Sequence, residues 1–274
     1  MRFFLLLVLP CLIYGGERLA FSGATTIQPI MEYIAPYYAI ENDYTLSIEG
    51  GGSDQGIKNV ISGKSDIGMI NRPLTNEEKA SLDYTTIGYD ATAFIVHKSN
   101  PVKGITRGQL IDIYKGKITN WSQIGGNNRP IILISKKCDR GTMRIIEEET
   151  GLFHPSNPKN NDETKKITRN TWDSGSNNDA IVWVGGLFDA IGFVSSGSAV
   201  SNIQAGMPIK ILAYEGVIPN EQNIFNNRYP IVRELNLIYT KNNQKAKKFV
   251  AFILSETGQQ AVSHANFIRI DHGK

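Results

Sequence analysis

The stretch "SKKCDRGTMR", Ser135 to Arg144, follows the apolar run "IILI" and sets a cysteine six residues ahead of an arginine. A thiolate at the start of a helix, ringed by backbone N–H groups and followed by a guanidinium, is how thiol phosphatases attack a phosphate ester. The same loop supports a second chemistry. Lys136, Arg140, Gly141 and Thr142 bring two cations, a hydroxyl and the free N–H groups of a helix start, which can hold a tetrahedral oxyanion without cutting it. In a cutting loop Cys138 is the nucleophile and Arg144 the clamp. In a holding loop Cys138 is a small half-buried residue, and Arg144 is a surface residue pairing with Glu147 or Glu148. Loops of the cutting kind usually have a histidine before the cysteine and a hydroxyl after the arginine. Lys137 and Ile145 stand there instead, so holding is the expected chemistry and no catalytic residue is assigned.

Two earlier loops have the same build. In "SGATT", Thr25 and Thr26 can cap the following helix or turn their hydroxyls outward. In "EGGGSDQG", the run Gly50 to Gly52 lets backbone approach a ligand closely, and Ser53 adds a hydroxyl. A tetrahedral oxyanion has many acceptor sites and tolerates loss of water only when nearly all are filled, so three such loops are worth more than one. Other chemistry has little support. His97, His154, His264 and His272 are far apart with no metal-binding spacing, so neither metal nor cofactor is expected. Asp54 is read as a helix cap and Asp66 as a residue ordering a strand edge.

The elements that must position these loops alternate short apolar strands with helical stretches, an α/β pattern with a largely parallel sheet. "RLAFSG", "YTLSIEG" and "SDIGMIN" read as strands. Between them, "TIQPIMEYIAPYY" reads as a helix that Pro36 should end or kink, and "DQGIKNVISG" as a helix stopped by Gly63. A second α/β block runs from "TAFIVHK" through "PIILIS" and "TMRIIEEETG" to "AIGFVS". "PIKILAY" and "ELNLIYT" return to strand character, and "QKAKKFVAFILSETGQQAV" closes the chain as a helix. No repeat or low-complexity linker separates these blocks, which suits two lobes joined by continuous strands.

The combination "SGATTIQPIM", "IEGGGSDQGIKNVISGKSDIGMINRPLTNEE", "LIDIYKGKITNW" and "FILSETGQQAV" resembles the phosphate-binding protein of the bacterial high-affinity phosphate ABC transporter, the PstS type, from about Phe21 onward. The resemblance implies a two-lobed periplasmic-binding-protein fold of type II, closing on dehydrated phosphate that is passed to a membrane permease. Carried over by position, the phosphate ligands fall on Thr25, Thr26, Ser53, Asn71, Lys136, Arg140, Gly141 and Thr142. Three positions depart from the family pattern. Lys136 stands for the usual arginine and Arg140 for a serine; a lysine lacks the bidentate fork, which Arg140 could restore from the other side. Asn71 stands where relatives have aspartate or serine, and its neutral amide repels sulfate less than a carboxylate would. Sulfate or another oxyanion is therefore the alternative ligand. Arg72 is next to the site without an assigned role.

The expected lobes are residues 17–91 with 214–274, and 92–213, with "TAFIVH" and "IKILAY" as the two crossing strands and the ligand cleft between. Residues 1–16, "MRFFLLLVLPCLIYGG", read as a secretory signal: one cation, an apolar run too short to span a bilayer, then small residues. Cys11 follows "LVLP", a loose form of the lipoprotein signal, so the exported chain is expected in the periplasm or lipid-anchored outside the cytoplasmic membrane. Whether Cys11 is removed or lipidated, Cys138 is left without a partner after export, so no intrachain disulfide is expected. The formal charge is +3 with scattered basic residues, so no nucleic acid is expected, and the receptor is read as a monomer. Such a receptor could deliver to a permease, serve a membrane kinase as sensor, or act as a surface adhesin; neighbouring permease genes would single out the first.

Overall fold

The computed structural model describes residues 16–270. The expected signal segment with Cys11 lies outside them except for Gly16, as does His272. Among the described residues, no helix is long and apolar enough to cross a membrane.

The chain begins β1 (Glu17–Gly23), α1 (Gln28–Glu41), β2 (Tyr44–Glu49), α2 (Ser53–Ile61), β3 (Ile67–Ile70) and α3 (Asn76–Ser81). β1 lies between β2 and β3, parallel to both. Helix α1 runs on to Glu41 with Pro36 inside it, contrary to the expected stop. Its buried face, Ile30, Met31, Ile34, Ala35 and Tyr38, packs on Phe21 and Met69 in one core, which outweighs the single hydrogen bond a proline removes.

β4 (Leu82–His97) is the longest strand, at 16 residues. Its first half pairs with β11 (Val232–Thr240) beside β3, and its second half pairs with β8 (Ala190–Ser195) and β9 (Ile209–Ile211). One strand therefore serves both halves of a nine-stranded sheet ordered β2-β1-β3-β11-β4-β8-β6-β7, with β9 also on β4. The second half of the molecule adds β5 (Gly104–Ile105), α4 (Arg107–Tyr114), β6 (Ile132–Lys136), α5 (Gly141–Thr150), β7 (Trp172–Ser174), α6 (Asn177–Gly186), α7 (Ser196–Gln204), β10 (Ala213–Tyr214) and α8 (Glu221–Phe225). Successive β4 residues alternate between two cores: Phe94 and Val96 face Tyr114, Trp121 and Phe193, while Ile95 faces Ile181, Val184 and Val194. A sheet covered on both faces reads as unbroken apolar runs, which is why "AFIV" and "IILI" look as they do.

The expected second crossing strand, "IKILAY", does not cross. β9 pairs with the second half of β4, its Ile209 packing with Ile181 and Val184, and β10 pairs with β5, its Tyr214 packing with Leu110 and Tyr114. Ile224, Tyr229 and Ile231 still belong to that core, and the chain returns through Tyr229–Val232, where the Tyr229 hydroxyl donates to the Thr92 carbonyl at 2.7 Å and the Thr92 N–H to the Ile231 carbonyl at 3.0 Å. The closing helix is two helices, α9 (Gln244–Ile253) and α10 (Glu256–His264). Ser255 caps the second, and a Cβ on Gly258 would lie 2.3 Å from the Ile253 carbonyl oxygen, so glycine allows α10 to fold back on the end of α9.

Candidate functional site

Among the described residues, seven of ten α-helices begin with a side chain capping their first turn, for example Thr75 on α3, Thr106 on α4 and Asn243 on α9. The three that do not are α1, α2 and α5. An uncapped first turn leaves backbone N–H donors and the positive end of the helix dipole without an internal partner. The starts of α2 and α5, with the Thr25–Thr26 turn that leads into α1, open on one cleft, lined by Thr25, Thr26, Ser53, Asn71, Lys136, Arg140, Gly141 and Thr142, together with Ser176 and Asn177. The sequence offered Thr25 and Thr26 as caps or outward donors; Ile27 takes the cap position without a side-chain bond, so they do not cap.

Buried side chains hold these groups in place. Ser53 Oγ donates to Asn71 Oδ1 at 2.9 Å, and Asn71 Nδ2 donates to Thr26 Oγ1 at 3.0 Å. Gly141 closes against this pair from the other half: a Cβ there would meet Asn71 Oδ1 at 2.0 Å and Ser53 Oγ at 3.0 Å. Lys136 is 2% exposed, and its Nζ donates to the Ser176 carbonyl at 2.9 Å and to Ser174 Oγ at 3.3 Å. Burial, followed by the Arg233 cation, pushes its ammonium from 10.5 down to about 7, with Arg140 adding to the effect and Asp179 opposing it. Arg140 Nε, buried at the cleft wall, lies 3.3 Å from the Asp139 carboxylate in an ion pair without hydrogen-bond geometry. The cleft thus collects two cations, hydroxyls and free N–H groups, which suits an anion with many acceptor atoms.

Several site residues were not singled out from the sequence. Asn177 at the start of α6 donates to Thr26 Oγ1 at 3.2 Å, and Ser174 and Ser176 receive Lys136. "WDSGSNN" ahead of "AIVWV" was a fourth strand-to-helix junction of the same kind. Below the cleft, Arg233 pairs with Asp90 at 2.7 Å with both side chains almost wholly buried. Charges inside two largely apolar strands, Asp90 in "YDATAF" and Arg233 in "IVRELNL", were the available signal.

Arg144 pairs with neither Glu147 nor Glu148. It reaches across to Asp54 at 2.6 Å, and Asp54 also binds Arg72 at 2.8 Å. Asp54 is therefore an ion-pair centre rather than a cap, and Arg72, held by Asp54 and Glu78, points to carboxylates instead of the cleft. Cys138 and Arg144 line a separate groove of about 470 Å³ with Asp139, Glu147 and Phe153. Burial, then the neighbouring Asp139 carboxylate, raises the Cys138 thiol, the reverse of what a nucleophile needs. Asp66 behaves as expected of a strand-edge residue, accepting from the Ala20 N–H at 2.8 Å and pairing with Lys245 at 2.9 Å.

Comparison with known proteins gives a consistent result. The family described as PBP superfamily domain matches residues 15–257. The phosphate-binding protein PstS of Borreliella burgdorferi is 29% identical over 267 residues, covering 95% of this chain and 93% of that one. A Clostridium perfringens protein whose crystal structure holds bound phosphate superposes with a TM-score of 0.82 at 34% identity, over 93% of this chain and 100% of that one. An ABC-type phosphate transport receptor from Vibrio cholerae gives a TM-score of 0.72 at 29% identity, over 91% and 99%.

Proposed function

The chain belongs to the PBP superfamily, and within it to the PstS type, and we propose that it captures inorganic phosphate between two lobes and delivers it to an ABC permease outside the cytoplasm. The convergence of the uncapped starts of α2 and α5 and of the Thr25–Thr26 turn on a cleft holding Lys136 and Arg140 carries this reading. The proposed lobes are residues 17–91 with 232–270, and 92–231. Thr25, Thr26, Ser53 and Asn71 serve the ion from the first lobe, and Lys136, Arg140, Gly141 and Thr142 from the second. Closure replaces the ion's water with these donors, so binding free energy is converted into a closed shape that permease subunits recognise. The exported chain acts as a monomer with a single ion. It carries no covalent step: the Cys138 thiol is raised and Arg144 is engaged by Asp54. Sulfate is the second ligand to consider, because the Asn71 amide lacks the charge with which a carboxylate would repel it.

Calorimetric titration of the mature chain with phosphate and with sulfate, on wild type and Cys138→Ser, tests this reading alongside a phosphate-ester hydrolysis assay. Phosphate binding that the serine leaves unchanged, without turnover, is the expected result. Hydrolysis that disappears with the thiol would overturn it.

A further inference from the structure

Arg233 lies on β11 in register with Asp90 on β4, at the point where β4 passes from one lobe to the other. Its Nε and Nη2 both donate to Asp90 Oδ2, at 3.0 and 2.7 Å, and Asp90 Oδ1 is held in turn by Ser196 Oγ at 2.9 Å. The guanidinium is thereby fixed, and its other donors reach one ligand loop from each lobe: Nη1 to Thr142 Oγ1 at 2.9 Å and Nη2 to Thr26 Oγ1 at 3.3 Å. A hydroxyl has two lone pairs and one proton. Thr26 Oγ1 receives N–H groups from Asn71, Asn177 and Arg233, so its lone pairs are filled and only its proton is left to give. Both threonines line the cleft.

We infer that Arg233 is a positioning residue for the anion: by occupying a lone pair on Thr142 Oγ1 and competing with Asn71 and Asn177 for those of Thr26 Oγ1, it turns both hydroxyl protons toward the cleft, and it ties a ligand loop of each lobe to one guanidinium. This rests on the phosphate reading and adds to it a residue that does not itself line the cleft. A lysine at 233 could keep the charge pair with Asp90, but it has one nitrogen and cannot reach both threonines.

The test is phosphate titration of wild type, Arg233→Lys, Thr26→Val and the double variant, with thermal melts of the ligand-free proteins as a folding control. Charge-assisted hydrogen bonds of this kind predict a loss of about tenfold to a hundredfold in affinity for each single variant. Because Arg233 acts through Thr26, the double variant should lose clearly less than the product of the single losses. If Arg233→Lys does not fold, the charge-neutral pair Asp90→Asn with Arg233→Gln replaces it. That pair should weaken binding and, combined with Thr26→Val, again lose clearly less than the product of the separate losses; a purely structural role would let the losses multiply. Wild type that binds while the folded variants bind equally well, or losses that simply multiply, would overturn the role of Arg233 alone. Wild type that takes up no phosphate would overturn the phosphate reading, and this inference with it.

Discussion

At the residue scale the most informative group is Lys136, whose buried ammonium titrates near 7 rather than 10.5. Its folded value lies below its unfolded one, so between about 7 and 10.4 the unfolded chain holds a proton that the folded chain has released, and ligand-free stability rises with pH across that window. Below it, the folded chain carries the full cost of a buried ammonium. An oxyanion beside Nζ restores the charge, so binding above this value takes up a proton. Calorimetry at about pH 8.5 in buffers of different ionisation enthalpy should give an uptake of about one proton for wild type and about none for Lys136→Met. Equal uptake in both would remove Lys136 from the site. Lys136 was legible in the sequence because it follows an apolar strand and precedes a helix start. Arg233 and Asp90 were not, because their importance comes from strand register: 143 residues apart, they become neighbours only when β11 returns beside β4.

Among the elements, helix starts decide the site. Those of α1, α2 and α5 were visible as Thr-Thr, Gly-Gly-Ser and Arg-Gly-Thr after strands, whereas their lack of caps was visible only once the turns were built. Gly141, first residue of α5, has ordinary helical surroundings on its own side but faces Asn71 across the cleft. Gly141→Ala puts a methyl 2.0 Å from Asn71 Oδ1, a clash that outweighs alanine's helix preference, so the ligand-free melting temperature should fall unless the lobes part. The substitution should weaken phosphate binding by roughly tenfold to a hundredfold, because the added methyl holds the lobes apart. Titration and melting curves on the same preparation check both halves of that statement. The strands were read less completely. The first half of β4, "LDYTTIGYD", mixes polar and apolar residues because it is only partly covered, and its pairing with β11 depends on a partner about 150 residues away. For the same reason "IKILAY" looked like a crossing strand: its apolar character fits any covered edge, and only β4 determines which lobe it joins.

For the whole molecule the question is how two lobes stay closed. Asp54 on α2 binds Arg72 within its own lobe and Arg144 on α5 of the other, beside the groove that Cys138 lines. The pair with Arg144 is partly exposed, so its contribution is modest and screened by salt. Arg144→Met should weaken phosphate binding about threefold to fivefold at low ionic strength, with little effect at high salt, as titrations at two salt concentrations would show. The two-lobed α/β architecture was readable because apolar runs alternate with helical stretches throughout. The position of the return crossing at Tyr229–Val232 was not, since it is defined by which core Ile224 and Ile231 join. The decisive measurement is a crystal structure of the mature chain grown with phosphate. A tetrahedral ion within about 2.7 to 3.2 Å of Thr26, Thr142, Lys136 and the first N–H groups of α2 and α5 is the predicted result. An ion bound instead in the groove between Cys138 and Arg144 would contradict the account.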